Sequence, residues 1–304
     1  MESRAAHEVS DQELWPSLPL DSWKDTYDTL HMWTQIVGKI RLKLSPPVNH
    51  WWHCALYVSA CGLTTSAMPY QDRLVEIEFD FLHHKLEIRT SNGLIRSFAL
   101  EPRSVADFYE ELMTTLSSMG IKVDIFTKPQ EVPNPIPFEQ DHEHSSYDGV
   151  YAQRFWRILN QTSVIFEEFR GRFIGKCSPV NFYWGSLDLA VTRFSGRRAP
   201  ERQGADLVTR EAYSHECISA GFWPGAGLGE PAFYSYTAPA PSGLDQQPIK
   251  TGSYSAKLGE FLLPYKDVRT SSSGRQILLD FLQTTYEAGA ELANWDRKAL
   301  ERRN

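Results

Sequence analysis

The sequence lacks the residue patterns that mark the commonest catalytic and metal-binding motifs. It has four cysteines in 304 residues, and no two are spaced as Cys-x-x-Cys, which argues against a zinc ribbon or a thioredoxin-type centre. It also lacks the GxxxxGK[ST] of a P-loop, the GxGxxG of a dinucleotide fold and the GxSxG of a nucleophile elbow. His215-Glu216 begins like a zincin motif, but no second histidine follows four residues later.

Long apolar runs and an excess of basic residues are absent as well. No run approaches the roughly 20 residues of a membrane-spanning helix, and residues 1–16 contain no apolar stretch like that of a secretory signal. The net charge of −7 is unlike the basic surface with which proteins neutralise nucleic-acid phosphates. The composition predicts a globular, cytoplasmic protein with reduced cysteines, without membrane or nucleic acid as a partner. The oligomeric state is left open.

A proline-rich stretch divides the chain. Four prolines fall within "KPQEVPNPIPFEQ", and because proline lacks an amide donor and fixes φ, this stretch predicts an extended connector. We therefore expect four segments: a flexible N-terminus (residues 1–12), a first half (13–127), the connector (128–147) and a second half (148–304).

Each half is predicted to contain a helix, several antiparallel strands and a closing helix. In the first half, "DSWKDTYDTLHMWTQIVGKI" has apolar residues three and four apart, as an amphipathic helix does. "RLVEIEFDF" alternates apolar and acidic residues, which is typical of a half-buried strand. In the second half, "YAQRFWRILNQTSVIFEEFRGRFIGK" and "GRQILLDFLQTTYEAGAELANW" predict the two helices, and the apolar stretches between them predict strands.

The two halves share short sequence matches in the same order. The matching pairs are Gly38-Lys39 with Gly175-Lys176, Val48-Asn49 with Val180-Asn181, and Trp52 with Trp184. A repeat of this length does not indicate a solenoid. It predicts an α+β fold that is internally duplicated, with two helix–antiparallel strands–helix halves related by a pseudo-two-fold axis.

Several phrases resemble a bacterial family that is catalogued only as a domain of unknown function. They are "WPSLPLDSWKDTYDTLHMWTQIVGKIRLKL", "PVNHWWH", "GLTTSAMPY", "EIEFDF", "RFIGKCSPVNFYWGSLDLAVTRFSG" and "SAGFWPG". The resemblance extends from about Trp15 to Trp295 and implies a bacterial, cytoplasmic protein. It brings no established activity, cofactor or catalytic residue, so the function has to be argued from the residues themselves.

Histidines distinguish the first copy of the repeated motif from the second. Aligning the copies places a phenylalanine opposite His50 and a glycine opposite His53, so the motif is built once without imidazole. Because imidazole titrates near neutrality and ligates transition metals, His50, His53 and His215 are predicted as acid–base residues or as ligands of a divalent metal. Positions 50 and 53 would point to opposite faces of a regular strand, so they converge only in a turn or bulge. A solvated loop is the alternative for His215.

Basic and aromatic residues near the motif are candidate ligand contacts. Asp188 is the only acid among several cations between residues 169 and 198, and such cations in a pocket would attract a carboxylate or phosphate. The predicted ligand-binding residues are Lys39, Asn49, Trp52, Arg172, Lys176, Asn181, Trp184, Arg193 and Trp223. For the asparagines, bonding to the backbone at a strand entry is the alternative. For the cations, it is a solvated helix end.

The function predicted from these residues is a small-molecule enzyme of unknown reaction. Its site would be aromatic-lined, would contain histidine, would lie between the two halves, and would take an anionic substrate, with a divalent metal as an open question. The alternative is a non-catalytic module that binds a ligand or a partner protein through the same groups.

Overall fold

The computed structural model describes residues 13–302, which form helices and two antiparallel sheets. The predicted flexible N-terminus, residues 1–12, lies outside this range. The α-helices are α1 (Lys24–Leu44), α2 (Val105–Ser118), α3 (Gly149–Gly171), α4 (Leu207–Ala212), α5 (Tyr265–Arg269), α6 (Gly274–Leu292) and α7 (Arg297–Leu300). Within the described range, no helix combines the length and apolarity that a membrane crossing requires.

The first sheet has six strands, and all of its pairings are antiparallel. The strands are β1 (Tyr57–Val58), β2 (Gly62–Thr64), β3 (Met68–Tyr70), β4 (Arg73–Asp80), β5 (Lys85–Thr90) and β6 (Ile95–Ala99). They lie in the order β1-β2-β4-β5-β6, with β3 paired to β4. The alternation in β4 works as predicted: Val75, Ile77 and Phe79 are fully buried, while Glu78 on the other face pairs with Arg89 of β5 at 2.7 Å.

The second sheet also has six antiparallel strands. They are β7 (Asn181–Tyr183), β8 (Asp188–Arg198), β9 (His215–Trp223), β10 (Ala232–Ala238), β11 (Ser253–Ser255) and β12 (Glu260–Pro264), in the order β11-β12-β10-β9-β8-β7. The helices and the two antiparallel sheets make the chain an α+β protein, as predicted.

The two sheets meet at one edge of each. Leu56, just before β1, and Phe182 of β7 form an antiparallel bridge in which each amide donates to the other carbonyl, at 2.9 and 2.8 Å. Both side chains are fully buried. The first strands of the two sheets are therefore neighbours, and residues on either side of this junction come close in space.

The connector is irregular, as its prolines predict, but it does not simply run over the surface. Its only regular element in the structure is a 3₁₀ turn, Phe138–Gln140. Phe138 is fully buried, and the Gln130 amide donates to Gln35 of α1 at 2.8 Å. The connector therefore packs against α1 and contributes to the core.

Arg193 lies on the core-facing side of β8 and not in a ligand pocket. It is 1% exposed, and its guanidinium carbon lies 3.4 Å from the ring centre of Phe169 and 4.3 Å from that of Tyr286. It also donates to the Phe169 carbonyl. Burial lowers its pKa to about 10. The structure thus makes this predicted anion contact part of the packing between β8 and α3.

We expect Arg193→Ala to lower the free energy of unfolding by about 3 kcal/mol, the range found when large buried side chains are truncated. Arg172→Ala is the matched control, because that side chain is 44% exposed and pairs with Glu168 at 2.5 Å on the surface; exposed pairs contribute about 0–1 kcal/mol. Urea unfolding of both variants measures the difference. Equal losses would show that Arg193 does not act through burial.

Candidate functional site

A cavity of about 1190 Å³ lies against one face of the second sheet. In antiparallel strands, directly opposite residues share a face. The register therefore places Tyr183 of β7, Thr192 of β8, Ser219 of β9 and Tyr236 of β10 on the same face, and all four line the cavity. The Thr192 and Ser219 hydroxyls are hydrogen-bonded at 2.9 Å. This wall is a polar, tyrosine-rich surface, whereas the opposite face of the sheet belongs to the core.

The remaining walls come from the first half, from residues 124–131 and from the α4 segment. The first half contributes Lys39 of α1 together with Trp51 and Trp52 of a 3₁₀ turn, Asn49–Cys54. The α4 segment contributes Ala212 and other residues between positions 206 and 213. The cavity therefore lies at the junction of both halves and the stretch that connects them.

His50 is held at the cavity wall by contacts on both ring nitrogens. It is 5% exposed, and its backbone has φ = 58°, a conformation that L-residues seldom adopt outside turns. Its Nδ1 lies 3.1 Å from the Glu211 carbonyl and 3.0 Å from that of Ala212, while Lys176 Nζ lies 2.6 Å from its Nε2. Because carbonyls only accept hydrogen bonds, Nδ1 carries the proton and Nε2 accepts from Lys176. Burial, with a further contribution from Lys176, lowers the pKa of His50.

Lys176 and His215 lie next to His50, but they are not among the residues that line the cavity. The Lys176 ammonium lies 5.2 Å from the ring centre of Phe194 and 5.5 Å from that of Trp52, both of which line the cavity. Burial lowers the pKa of Lys176. The His215 ring is 5.6 Å from that of His50, and burial followed by the charge of Lys176 lowers its pKa. These three residues form one cluster, although they come from different elements.

His53 and Asn49 lie outside the cavity lining. His53 is buried, and its Nδ1 contacts the backbone nitrogen and oxygen of Val48 at 3.2 and 3.3 Å. Asn49 is exposed at the start of the same turn. The two sequence-predicted histidines of the turn thus diverge, and only His50 joins His215. Among residues 13–302, no three or more His, Cys, Asp or Glu side chains are grouped as metal ligands.

Three other predicted contacts surround the cavity. Lys39 donates to the Phe126 and Lys128 carbonyls at 2.9 and 2.5 Å, and burial lowers its pKa to about 8. Trp52 and Trp184 line the wall. The Trp184 indole donates to the Cys54 carbonyl at 2.7 Å and lies so close to Gly38 that a Cβ there would overlap it.

The remaining predicted contacts do not line the cavity. Trp223 lies at the end of β9, and Arg172 lies at the C-terminal end of α3. Asn181 is fully buried in β7, where its Nδ2 donates to the Tyr183 hydroxyl at 3.0 Å.

Sequence reasoning did not assign a role to the acidic end of the cavity. Asp188, at the start of β8, accepts hydrogen bonds from Ser186 Oγ at 2.5 Å and from the Tyr234 hydroxyl. Glu131 of the connector also lines this end. Burial raises the pKa of both carboxyl groups, and the charge of Asp188 adds to the effect on Glu131. The alternation of side chains along β8 indicates this role, because Asp188 shares a face of the strand with residues 190, 192 and 194.

Comparison with known proteins gives a family and no activity. No curated protein and no solved structure matches the chain. The model of a family of unknown function, DUF5996, matches residues 15–302, which agrees with the resemblance in the sequence phrases. The chain therefore belongs to the DUF5996 family.

Proposed function

We propose that the chain is a small-molecule enzyme whose cavity binds an organic substrate and whose His50–Lys176 pair performs acid–base chemistry on it. The observation that carries the proposal is the 2.6 Å contact between Lys176 Nζ and His50 Nε2 beside a cavity of about 1190 Å³. Pockets of about 300–1,000 Å³ with mostly apolar walls and a few convergent polar groups are the usual small-molecule sites. Perturbed pKa values within such a pocket add support.

The tautomer of His50 determines which of its ring nitrogens can accept a proton. Two backbone carbonyls hold the proton on Nδ1, so the lone pair of Nε2 faces Lys176. This base can accept a proton from the Lys176 ammonium and leave a neutral amine. The lowered pKa of the lysine favours this transfer, and the lowered pKa of His50 opposes it. The pair would then remove a proton from the substrate or return one to it.

An anionic group on the substrate is part of this proposal. Lys176 forms no ion pair within residues 13–302, and an ammonium without a counter-ion attracts a carboxylate or phosphate. His50 and His215 would hold a metal only if the metal displaced one of the contacts on His50. Metal analysis of the purified protein therefore accompanies the test below.

The test is His50→Gln in a turnover assay with a molecule found bound to the purified protein. We expect kcat to fall by roughly 10²-fold or more, the usual contribution of a positioned acid or base. His53→Gln is the matched comparison, since it removes an imidazole from the same turn at a position that does not itself line the cavity. It should retain kcat within about twofold. Equal kcat in the wild type and His50→Gln would contradict the proposal.

The second candidate is a non-catalytic binding module, favoured by the aromatic walls. In that case the bound molecule would be recovered unchanged after long incubation with excess protein, and His50→Gln would alter only affinity. A partner protein in place of a small molecule would leave the cavity unoccupied in the complex.

The proposal includes an internal duplication and a cytoplasmic location. Support for the duplication comes from the two sheets, whose first strands, β1 and β7, are bridged through Leu56 and Phe182. In such a duplication, Leu56 of the first half and Phe182 of the second half would be equivalent positions. Asn49 and Asn181 would not be equivalent, since the first asparagine lies in a turn and the second in a strand. All four cysteines are free, which suits a reducing compartment.

A further inference from the structure

Two carboxyl groups lie at the Asp188 end of the cavity without a cationic partner. Within residues 13–302, neither Asp188 nor Glu131 forms an ion pair. Asp188 is 6% exposed, and among the described residues its side chain accepts hydrogen bonds only from the hydroxyls of Ser186 and Tyr234. A buried acidic group is usually paired with a cation or protonated, because burying a charge is costly. This end of the cavity therefore favours a positively charged group.

Gly185 allows the Glu131 carboxyl group to lie against the backbone that precedes Asp188. A Cβ at Gly185 would lie 2.6 Å from Glu131 Oε1, so the carboxyl group of the connector rests against the backbone that leads into β8. Glu131 itself has φ = 55°, a strained conformation for a residue with a side chain. The backbone at both positions thus places the Glu131 carboxyl group near the start of β8, where Asp188 lies. Neighbouring carboxylates disfavour each other's ionisation because their charges repel.

The wall around these carboxyl groups is aromatic. Tyr183, Trp184 and Tyr234 line the cavity here, and aromatic rings around a carboxylate are the usual surroundings of a bound ammonium group.

We propose that the Asp188 end of the cavity binds the ammonium group of an amine, so that the substrate class is an amine-bearing organic molecule. This inference rests on the proposed function, because it names the class of substrate that the proposed enzyme would bind in the same cavity. Asp188 and Glu131 neutralise the ammonium charge, and the aromatic rings of Tyr183, Trp184 and Tyr234 surround it.

The amine end and the His50 end are distinct. His50 packs against Phe194 at a ring separation of 4.4 Å, and Phe194 is six residues from Asp188 on β8. Six residues of extended strand span about 20 Å. A substrate that reaches both ends is therefore elongated, with its amine far from the group on which His50 and Lys176 act.

The test uses benzylamine, its neutral analogue benzyl alcohol and its anionic analogue benzoate as probes of the full chain. Ligand-observed NMR titration measures their binding. We expect benzylamine to bind at least tenfold more tightly than benzyl alcohol. Asp188→Asn should weaken benzylamine at least tenfold and should not weaken benzoate, which has no ammonium group. Glu131→Gln should weaken benzylamine about threefold or more, and this variant replaces Asp188→Asn as the test if the latter does not fold.

Glu139→Gln is the control, because that carboxylate lies on the same connector but outside the cavity lining; it should leave benzylamine affinity unchanged. The inference is overturned if benzyl alcohol binds as well as benzylamine, if no probe binds, or if both carboxyl variants retain benzylamine affinity. Turnover in His50→Gln tests the proposed function separately, so either claim can fail while the other holds.

Discussion

Gly38→Ala is expected to lower the free energy of unfolding by about 2–3 kcal/mol, as overpacking of a tight contact does. A Cβ at this position of α1 would overlap the Trp184 indole ring. The ring cannot move freely, because its Nε1 donates to the Cys54 carbonyl at 2.7 Å, and a displaced indole would leave this N–H without a partner. Since Trp184 lines the cavity, the same substitution should also weaken any cavity ligand.

Gly171→Ala is the matched control for this prediction. Gly171 is the last residue of α3, and a Cβ there would meet nothing within 4 Å. Alanine is the better helix former by about 1 kcal/mol, so this variant should be neutral or slightly more stable. Denaturant unfolding of both variants supplies the measurement, and a Gly38→Ala protein as stable as Gly171→Ala would contradict the close packing of α1 against Trp184.

The second large effect concerns Asp188→Asn, which is expected to gain stability relative to the wild type as pH rises. Burial raises the pKa of Asp188, so the folded protein holds this proton at pH values where the unfolded chain has lost it. The wild type therefore loses stability as pH rises above about 4, the unfolded value, at a slope of up to about 1.4 kcal/mol per pH unit for one proton. The loss levels off once pH exceeds the folded pKa. Asparagine has no proton to lose and lacks this slope.

Asp80→Asn is the contrasting control. Burial opposes ionisation of Asp80, but hydrogen bonds from the backbone and ring of His83 and from the Leu82 amide outweigh it and lower the pKa. That carboxylate stabilises the folded state above its unfolded pKa, and this contribution is lost as pH falls through the folded pKa. The variant should thus become less stable than the wild type as pH rises, which is the opposite sign. Unfolding titrations from below pH 4, where the Asp80 contribution changes, up to pH 8 distinguish the two. Parallel curves for Asp188→Asn and the wild type would contradict a buried, destabilising carboxyl group.

Much of the fold could be predicted because its signals are local. The spacing in α1 and the alternation in β4 depend only on residues within one element, and the helix, strands, helix order of each half follows from them. The packing of the connector into the core was missed, because the prolines indicate an irregular backbone but say nothing of where Phe138 lies. The register between the sheets was also missed, since Leu56 and Phe182 meet only through tertiary structure.

The candidate site could be predicted in part. The alternation of side chains along β8 explains which residues were placed correctly and which were not. Residues 190, 192 and 194 share the cavity face of β8, so Arg193 necessarily points to the other face and into the core. Proximity along the chain groups Arg193 with the other cations, but it ignores this alternation. The alternation excludes Arg193 from the cavity face of β8 and places Asp188 on it. The contact between His50 and Lys176 was beyond such reasoning, because it joins a turn of the first half to a loop of the second.

The most direct test of the account is mass spectrometry of the small molecules released from the purified protein by denaturation. Ala190→Phe provides the comparison, because Ala190 faces the cavity from β8 and a larger side chain there would fill part of it. We predict a stoichiometric organic amine released from the wild type and depleted from a folded Ala190→Phe protein. A wild type that releases the same molecules in the same amounts as Ala190→Phe would contradict the claim that this cavity is the functional site.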